Sequence, residues 1–328
     1  MALFITCTLT VPALLGQDGA ETTRSEITPS DRKEKKEKKE QVRPVTIQVT
    51  PRVRGSQPQQ TTSETEGFIP LGEITVREDG VERKILSTRG IGNTPLALGI
   101  LIQDDVVSSI NNEIKAIAEF IRTLPKGSRV LVGYIRNGSL QVRQKFTTEL
   151  DKAVRALRVP IGSSSVAPFN PYIEIIEGLK RYESLPSGRR AMLVITDGLD
   201  TSHGIRSSSA GLSMDLQRAI REAQRRSVAI YSFYAPTVTA TAGRNQILIG
   251  NAQSSLARLS DETGGRAFFQ GTGAPVSFDP FLRELGEALL AQLAVTFLST
   301  NSDKDFHRLE VVFGRTDVKA DYPAGYVR

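Results

Sequence analysis

Residues 96–109 read LALGILIQDDVVSS: seven apolar or small residues that stop at a glutamine, two aspartates, two valines and two serines. A continuous apolar run of this length, without alternation, suits a strand buried on both faces of a parallel sheet. The polar residues after it then lie at the carboxyl end of that strand, where open parallel sheets hold their ligands.

Outward from this strand the pattern alternates. Ile110, Ile114, Ile117, Ile121 and Leu124 fall on one helical face, and LPKG (124–127) ends the segment. Strand-like runs RVLVGYI (129–135) and LQVRQKF (140–146) flank Asn137-Gly138, a hairpin signal. Helical patterns cover 148–158 and 171–185, and AMLVI (191–195) is a second buried strand ending in Thr196-Asp197-Gly198. A helix at 214–227, a strand at 228–235, a helix at 247–262, the short strand RAFF (266–269) and a helix at 279–292 follow. Alternation of this kind between 95 and 275 predicts an α/β fold, a doubly wound, mostly parallel sheet with helices on both faces.

Both ends return to a period of two. GEITVREDGVERKILSTRG (72–90) reads as two strands around Asp79-Gly80, and LAVTFLS (293–299), FHRLEVVF (306–313) and VKADY (318–322) read as strands. The predicted organisation is an N-terminal hairpin (68–94), an α/β domain (95–292) and C-terminal strands (293–328), the two ends pairing into a small flanking β-sheet. Ahead of them, residues 17–67 lack aromatics and include DRKEKKEKKEQVRP (31–44). Such a segment buries too little apolar surface to offset the entropy of ordering, so it is expected to be a disordered charged linker. Within it PVTIQVTPRV (44–53) alternates like an edge strand at most, given its prolines.

Residues 1–16, MALFITCTLTVPALLG, look like the apolar part of a secretory signal with a cut after Gly16. No Lys or Arg precedes Arg24, which a start codon assigned too far downstream would explain. The expectation is export, to the periplasm, the cell envelope or the medium. No later segment approaches the roughly 18 consecutive apolar residues of a membrane helix, so no transmembrane segment is expected. The one cysteine, Cys7, falls in the leader, which excludes disulfides and Cys-ligated metal centres from the folded part. Net charge is +6, with basic residues scattered among acidic ones and no Lys/Arg stripe interleaved with aromatics. Nucleic acid is therefore not an expected partner.

Two strand ends are acidic: QDDVVSS after the first and TDGLD after AMLVI. In this order, with the helices between them, they resemble a von Willebrand factor type A (VWA) domain. The flanks VREDGVERKI and AVTFLS and the tail RLEVVFGRTDVKADYPAGYV are similar to a bacterial, exported VWFA-related family. The resemblance covers roughly residues 70–328. It implies a metal-ion-dependent adhesion site built from a D-x-S-x-S loop, a threonine from a second loop and the aspartate of TDG. Mg²⁺ takes six oxygens in an octahedron and keeps several waters. Hydroxyls and carboxylates in this pattern supply part of that shell, and an open position takes an acidic group from a partner.

Here the loop matches in no frame. The usual register starts on Gln103 and puts Asp105 and Val107 in the serine places. One step on, Asp104 is the acid, Val106 replaces the first serine and Ser108 supplies the second; a further step gives Asp105, Val107 and Ser109. The segment 159–171 offers Ser163, Ser164 and Ser165 but no threonine, whereas Asp197 sits where the family places it, with Asp200 nearby. A degenerate metal site of Asp104, Ser108 and Asp197 is the expectation, holding Mg²⁺ or another divalent cation weakly or not at all. Asp105, Ser109, Ser163, Ser164 and Asp200 are the candidate partner-binding residues. The competing structural reading makes Asp104 or Asp105 the cap of a helix beginning near Val106. Gly162 and its serines are expected to face Asp104, and Arg181, Arg189 and Arg190 to form an exposed rim.

The functional expectation is a non-catalytic module that holds a protein or peptide partner at the carboxyl edge of the sheet. A structural envelope component acting through the flanking sheet is the alternative. A hydrolase using Asp197, Asp200 and His203 is the third reading; neither a G-x-S-x-G elbow nor a Walker loop is present. Oligomeric state is not legible in the chain.

Overall fold

The computed structural model describes residues 42–53, 74–167, 170–204, 208–237, 246–273, 275–301 and 303–327. The leader 1–16 and linker residues 17–41 and 54–67 lie outside the described residues. In chain order the elements are β1 (Arg43–Val53), β2 (Ile74–Glu78), β3 (Val81–Arg83), β4 (Ile85–Gly90), β5 (Leu96–Gln103), a 3₁₀ turn (Ser108–Asn112) and α1 (Glu113–Arg122). β6 (Arg129–Arg136), β7 (Ser139–Thr147), α2 (Leu150–Ala156), a 3₁₀ turn (Ser164–Val166), α3 (Pro171–Lys180), β8 (Arg189–Thr196) and α4 (Met214–Arg225) follow. The rest are β9 (Ala229–Tyr234), α5 (Gln246–Thr263), β10 (Ala267–Phe268), α6 (Asp279–Leu290), β11 (Leu293–Ser299), β12 (Phe306–Phe313), β13 (Val318–Asp321) and β14 (Gly325–Val327).

Six strands form the central sheet in the order β10-β9-β8-β5-β6-β7. All pair in parallel except β7, which returns antiparallel from β6. That return runs through Asn137 (φ 47°) and Gly138 (φ 74°), the left-handed pair that a two-residue hairpin turn requires. β5 is central because it is apolar on both sides. Leu98, Ile100 and Ile102 pack with Ile117 and Ile121 of α1 and Leu285 of α6. Leu101 packs in the second layer, with Ile175 and Leu179 of α3 and Ala219 and Ile220 of α4. Gly99 makes one close approach possible: its N–H donates to Tyr182 Oη at 2.7 Å, and a Cβ there would lie 2.8 Å from that oxygen. The result is a mixed α/β domain with helices on both faces of a mostly parallel sheet, consistent with a VWA-like fold.

The flanking part departs from expectation in two ways. It is two four-stranded sheets, not one: β13-β1-β11-β4 and β14-β12-β2-β3. Between them lie Ile47, Val49, Val76, Val295, Phe297, Leu309, Val311 and Phe313, the inward set of period-2 strands. Accordingly the 72–90 stretch forms three strands. β2 and β3 turn at Asp79 (φ 51°) and Gly80 (φ 82°), and the chain then crosses after Arg83 so that β4 joins β11.

The second correction concerns residues 44–53, expected to be linker or an edge. β1 is a core strand, with Ile47 and Val49 buried. Its prolines are tolerated because each half has one bonded neighbour. Residues 43–49 pair with β11 and 50–53 with β13, which leaves Pro44 and Pro51 no second ladder to interrupt. Arg189, expected on an exposed rim, is 6% exposed. Among the described residues, no helix is long and apolar enough to cross a membrane.

Candidate functional site

Strand order reverses between β5 and β8, the place in a doubly wound sheet where the loops after the strands are suited to hold a ligand. Gln103 is the last residue of β5, and its side chain joins the two loops. Gln103 Nε2 donates to Asp105 Oδ1 at 2.8 Å. Gln103 Oε1 accepts from the Thr196 hydroxyl and from the Asp197 N–H at 3.3 Å. Asp197 in turn accepts from the Leu199 N–H (3.1 Å) on Oδ1 and from the Thr237 hydroxyl (3.0 Å) on Oδ2. Thr237 is held there by an antiparallel bridge to Val106 and by the Val107 N–H donating to the Pro236 carbonyl at 3.0 Å. Gly198 is needed at the turn, with φ 70° and its backbone against Leu256.

This network is buried. Burial pushes Asp197 up to about 7, and the Asp105 charge pushes it the same way. Asp105 is also raised, first by burial and then by Asp104, against the hydrogen bond from Gln103. Asp105 and Asp197 are thus linked through the Gln103 side chain.

Asp104 faces elsewhere. Its fully buried carboxylate takes a two-pronged ion pair from Arg158, Nη1 to Oδ1 and Nη2 to Oδ2, both at 2.7 Å. The Ile161 N–H adds a third bond at 3.0 Å. Arg158 is fixed by Tyr134, whose ring lies 4.0 Å below the guanidinium and whose hydroxyl bonds both the Arg158 carbonyl (2.6 Å) and N–H (2.7 Å). The Gly162 N–H donates to the Asp104 carbonyl at 2.9 Å, so the serine loop lies beside Asp104.

The remaining candidates separate. Ser108 and Ser109 are exposed at the start of the 3₁₀ turn, whose cap, Val107, receives no side-chain bond; neither Asp104 nor Asp105 caps a helix. Ser164 is exposed, and Ser163 accepts from the Ser165 N–H at 3.3 Å. Asp200 is buried and bound to Ser202 Oγ (2.5 Å) and Ser213 Oγ (2.7 Å), the latter being the cap of α4. His203 is exposed in the adjoining loop. Folding thus selects the register beginning at Gln103, with the acid two places late, and does not bring Asp104, Ser108 and Asp197 together.

That donor set does not fit the divalent ion of an intact adhesion site. An amide stands at the first ligand position with its N–H₂ turned inward, Val107 replaces a hydroxyl, Arg158 neutralises Asp104, and both Asp197 oxygens already accept hydrogen bonds. Gln103, Arg158, Tyr134 and Thr237 were not among the sequence candidates. Only Gln103 had a local signal, its place directly after the strand.

Among solved structures the chain is similar to an aerotolerance-related membrane protein from Bacteroides fragilis, at 10% identity over 59% of this chain and 98% of that one, TM-score 0.37. It is also similar to BatB from Bacteroides thetaiotaomicron (12% identity, 59% and 97% covered, TM-score 0.37) and to the SpRpn10 VWA domain (16%, 50% and 85%, TM-score 0.31). No family model matches the chain, and no curated protein matches it.

Proposed function

We propose that this chain is an exported, non-catalytic VWA-type binding module that holds a protein or peptide partner at the carboxyl edge of its central sheet without a metal ion. The observation carrying this reading is the pairing of a closed acidic network with an open apolar rim. Every acid of the edge is engaged by internal donors, while Val159 and Ile161, flanking the Arg158–Asp104 pair, are 50% and 47% exposed. Ser108, Ser109 and Ser164 are exposed in the loops of the same edge. A surface of this kind recognises apolar side chains and backbone amides, rather than the acidic group that completes a metal shell.

The test uses the full chain and the partner that co-isolates with it. Capture is expected to survive a chelator and to fall about tenfold or more in Val159→Ser/Ile161→Ser, since burying two such side chains is worth roughly 3 kcal/mol. Capture that needs a divalent ion, or is indifferent to the double change, overturns the reading. A second reading, assembly through the flanking sheets, is favoured by β4, which among the described residues is bonded on one side only and exposes Leu86 at 49%. Capture lost in Leu86→Lys but kept in the Val159/Ile161 variant selects it.

A further inference from the structure

The opposite end of the central sheet carries a different chemistry. There the starts of β5, β6, β8 and β9, with strands β1 and β14 of the flanking sheets, line a cleft of about 900 Å³. Six arginines line it, Arg89, Arg129, Arg189, Arg190, Arg225 and Arg226, and among the described residues no aspartate or glutamate does. Arg225 and Arg226 are neutralised from outside by Glu183 and Glu222. The other four have no carboxylate partner among the described residues.

Two of the four are built into the wall. Arg189 spends its donors on neutral acceptors: Gln292 Oε1 (2.6 Å) and the carbonyls of Gly92 (2.8 Å), Thr94 (3.2 Å) and Leu289. Arg190 likewise bonds the carbonyls of Arg226 (3.0 Å), Leu185 (2.9 Å) and Pro186 (3.2 Å). Burial lowers both, Arg189 to about 10, and the neighbouring Arg226 charge lowers Arg190 further. Arg190 Nε and Arg226 Nε are buried donors with no acceptor among the described residues. Buried positive charge without a counter-charge is costly, and an anion in the cleft offsets that cost. Arg89 and Arg129 are exposed, and their forks make no ion pair or side-chain hydrogen bond among the described residues.

We propose that this cleft binds a compact ligand carrying two or more anionic oxygen groups, phosphate or carboxylate, gripped by Arg89 and Arg129 in the field of Arg189 and Arg190. The volume is that of small-molecule sites, roughly 300 to 1,000 Å³. The planar guanidinium is the side chain that takes such groups by two parallel bonds. This site is independent of the carboxyl edge.

Isothermal titration of the full chain with tripolyphosphate, with citrate and with chloride at matched ionic strength tests it. Saturable binding of at least one polyanion above the chloride control is expected. It should weaken about tenfold in each of Arg89→Gln and Arg129→Gln and be unchanged in Arg143→Gln, an exposed arginine on β7 that does not line the cleft. All three variants should melt with the wild type. Tripolyphosphate alone identifies a phosphate-bearing ligand, citrate alone a carboxylate-bearing one. Binding no better than chloride, or equal binding by the Arg89→Gln/Arg129→Gln double variant, overturns the proposal.

Discussion

Asp104 has no exposed surface, yet it is a charged group, so its ion pair with Arg158 decides whether the carboxyl edge holds together. Removing one partner of a buried pair leaves an uncompensated charge, a loss of roughly 3 to 5 kcal/mol, whereas replacing both by apolar groups is often close to neutral. Arg158 is 27% exposed, so water partly rescues Asp104. Arg158→Ala is expected to cost about 2 to 3 kcal/mol in urea unfolding, and Asp104→Leu/Arg158→Met much less than that single change. A cost under about 0.5 kcal/mol for Arg158→Ala would show a pair no stronger than a surface one. Neither this pair nor the Gln103 link was legible beforehand. Asp104 and Arg158 stand 54 positions apart, and no periodicity reports a contact of that separation. Gln103 was visible as an intruder in the metal pattern, but its amide's use as a bridge depends on Thr196 and Asp197 arriving from β8.

At the scale of elements, the hairpin β2–β3 is tied to β12 by a titrating pair. His307 Nδ1 lies 2.9 Å from Asp79 Oδ2, and Nε2 lies 3.2 Å from the Asp303 carbonyl. Asp79 and the Asp303 carbonyl are acceptors and favour the protonated ring, while Asn301 Nδ2, a donor, lies 3.2 Å from Nδ1. Burial alone would lower His307, but the Asp79 bond and the Asp303 carbonyl outweigh it and hold it above 6.5. Asp79, despite some burial, is held below 3.8 by His307 and the Arg308 N–H. The His307 contribution is complete below its unfolded value of 6.5 and is lost as pH rises through its raised folded value. The Asp79 contribution is complete above 3.8 and is lost as pH falls through its lowered value. His307→Gln should therefore destabilise more at about pH 6 than at about pH 9. An equal loss at both pH values would mean that the ring acts by packing alone.

β5 and β8 were legible because burial on both faces writes an uninterrupted apolar run, and β12 because burial on one face writes alternation. β1 was not. Its prolines signal an interrupted ladder, and only the changeover between β11 and β13 removes that conflict.

Taken as a whole, the molecule carries two unlike ends on one sheet. At the carboxyl end the acids are engaged internally by an amide, a guanidinium and hydroxyls; at the amino end six arginines line a cleft that, among the described residues, no aspartate or glutamate lines. The doubly wound class followed from the order of strands and helices. The sandwich beside it did not, since which strands share a sheet is set by crossings such as the one after Arg83. Thermal melting with and without millimolar Mg²⁺ or Mn²⁺ tests most directly whether the carboxyl edge is complete without an ion. The expected result is the same melting temperature in both for the wild type. A large upward shift that Asp197→Ala abolishes would contradict it.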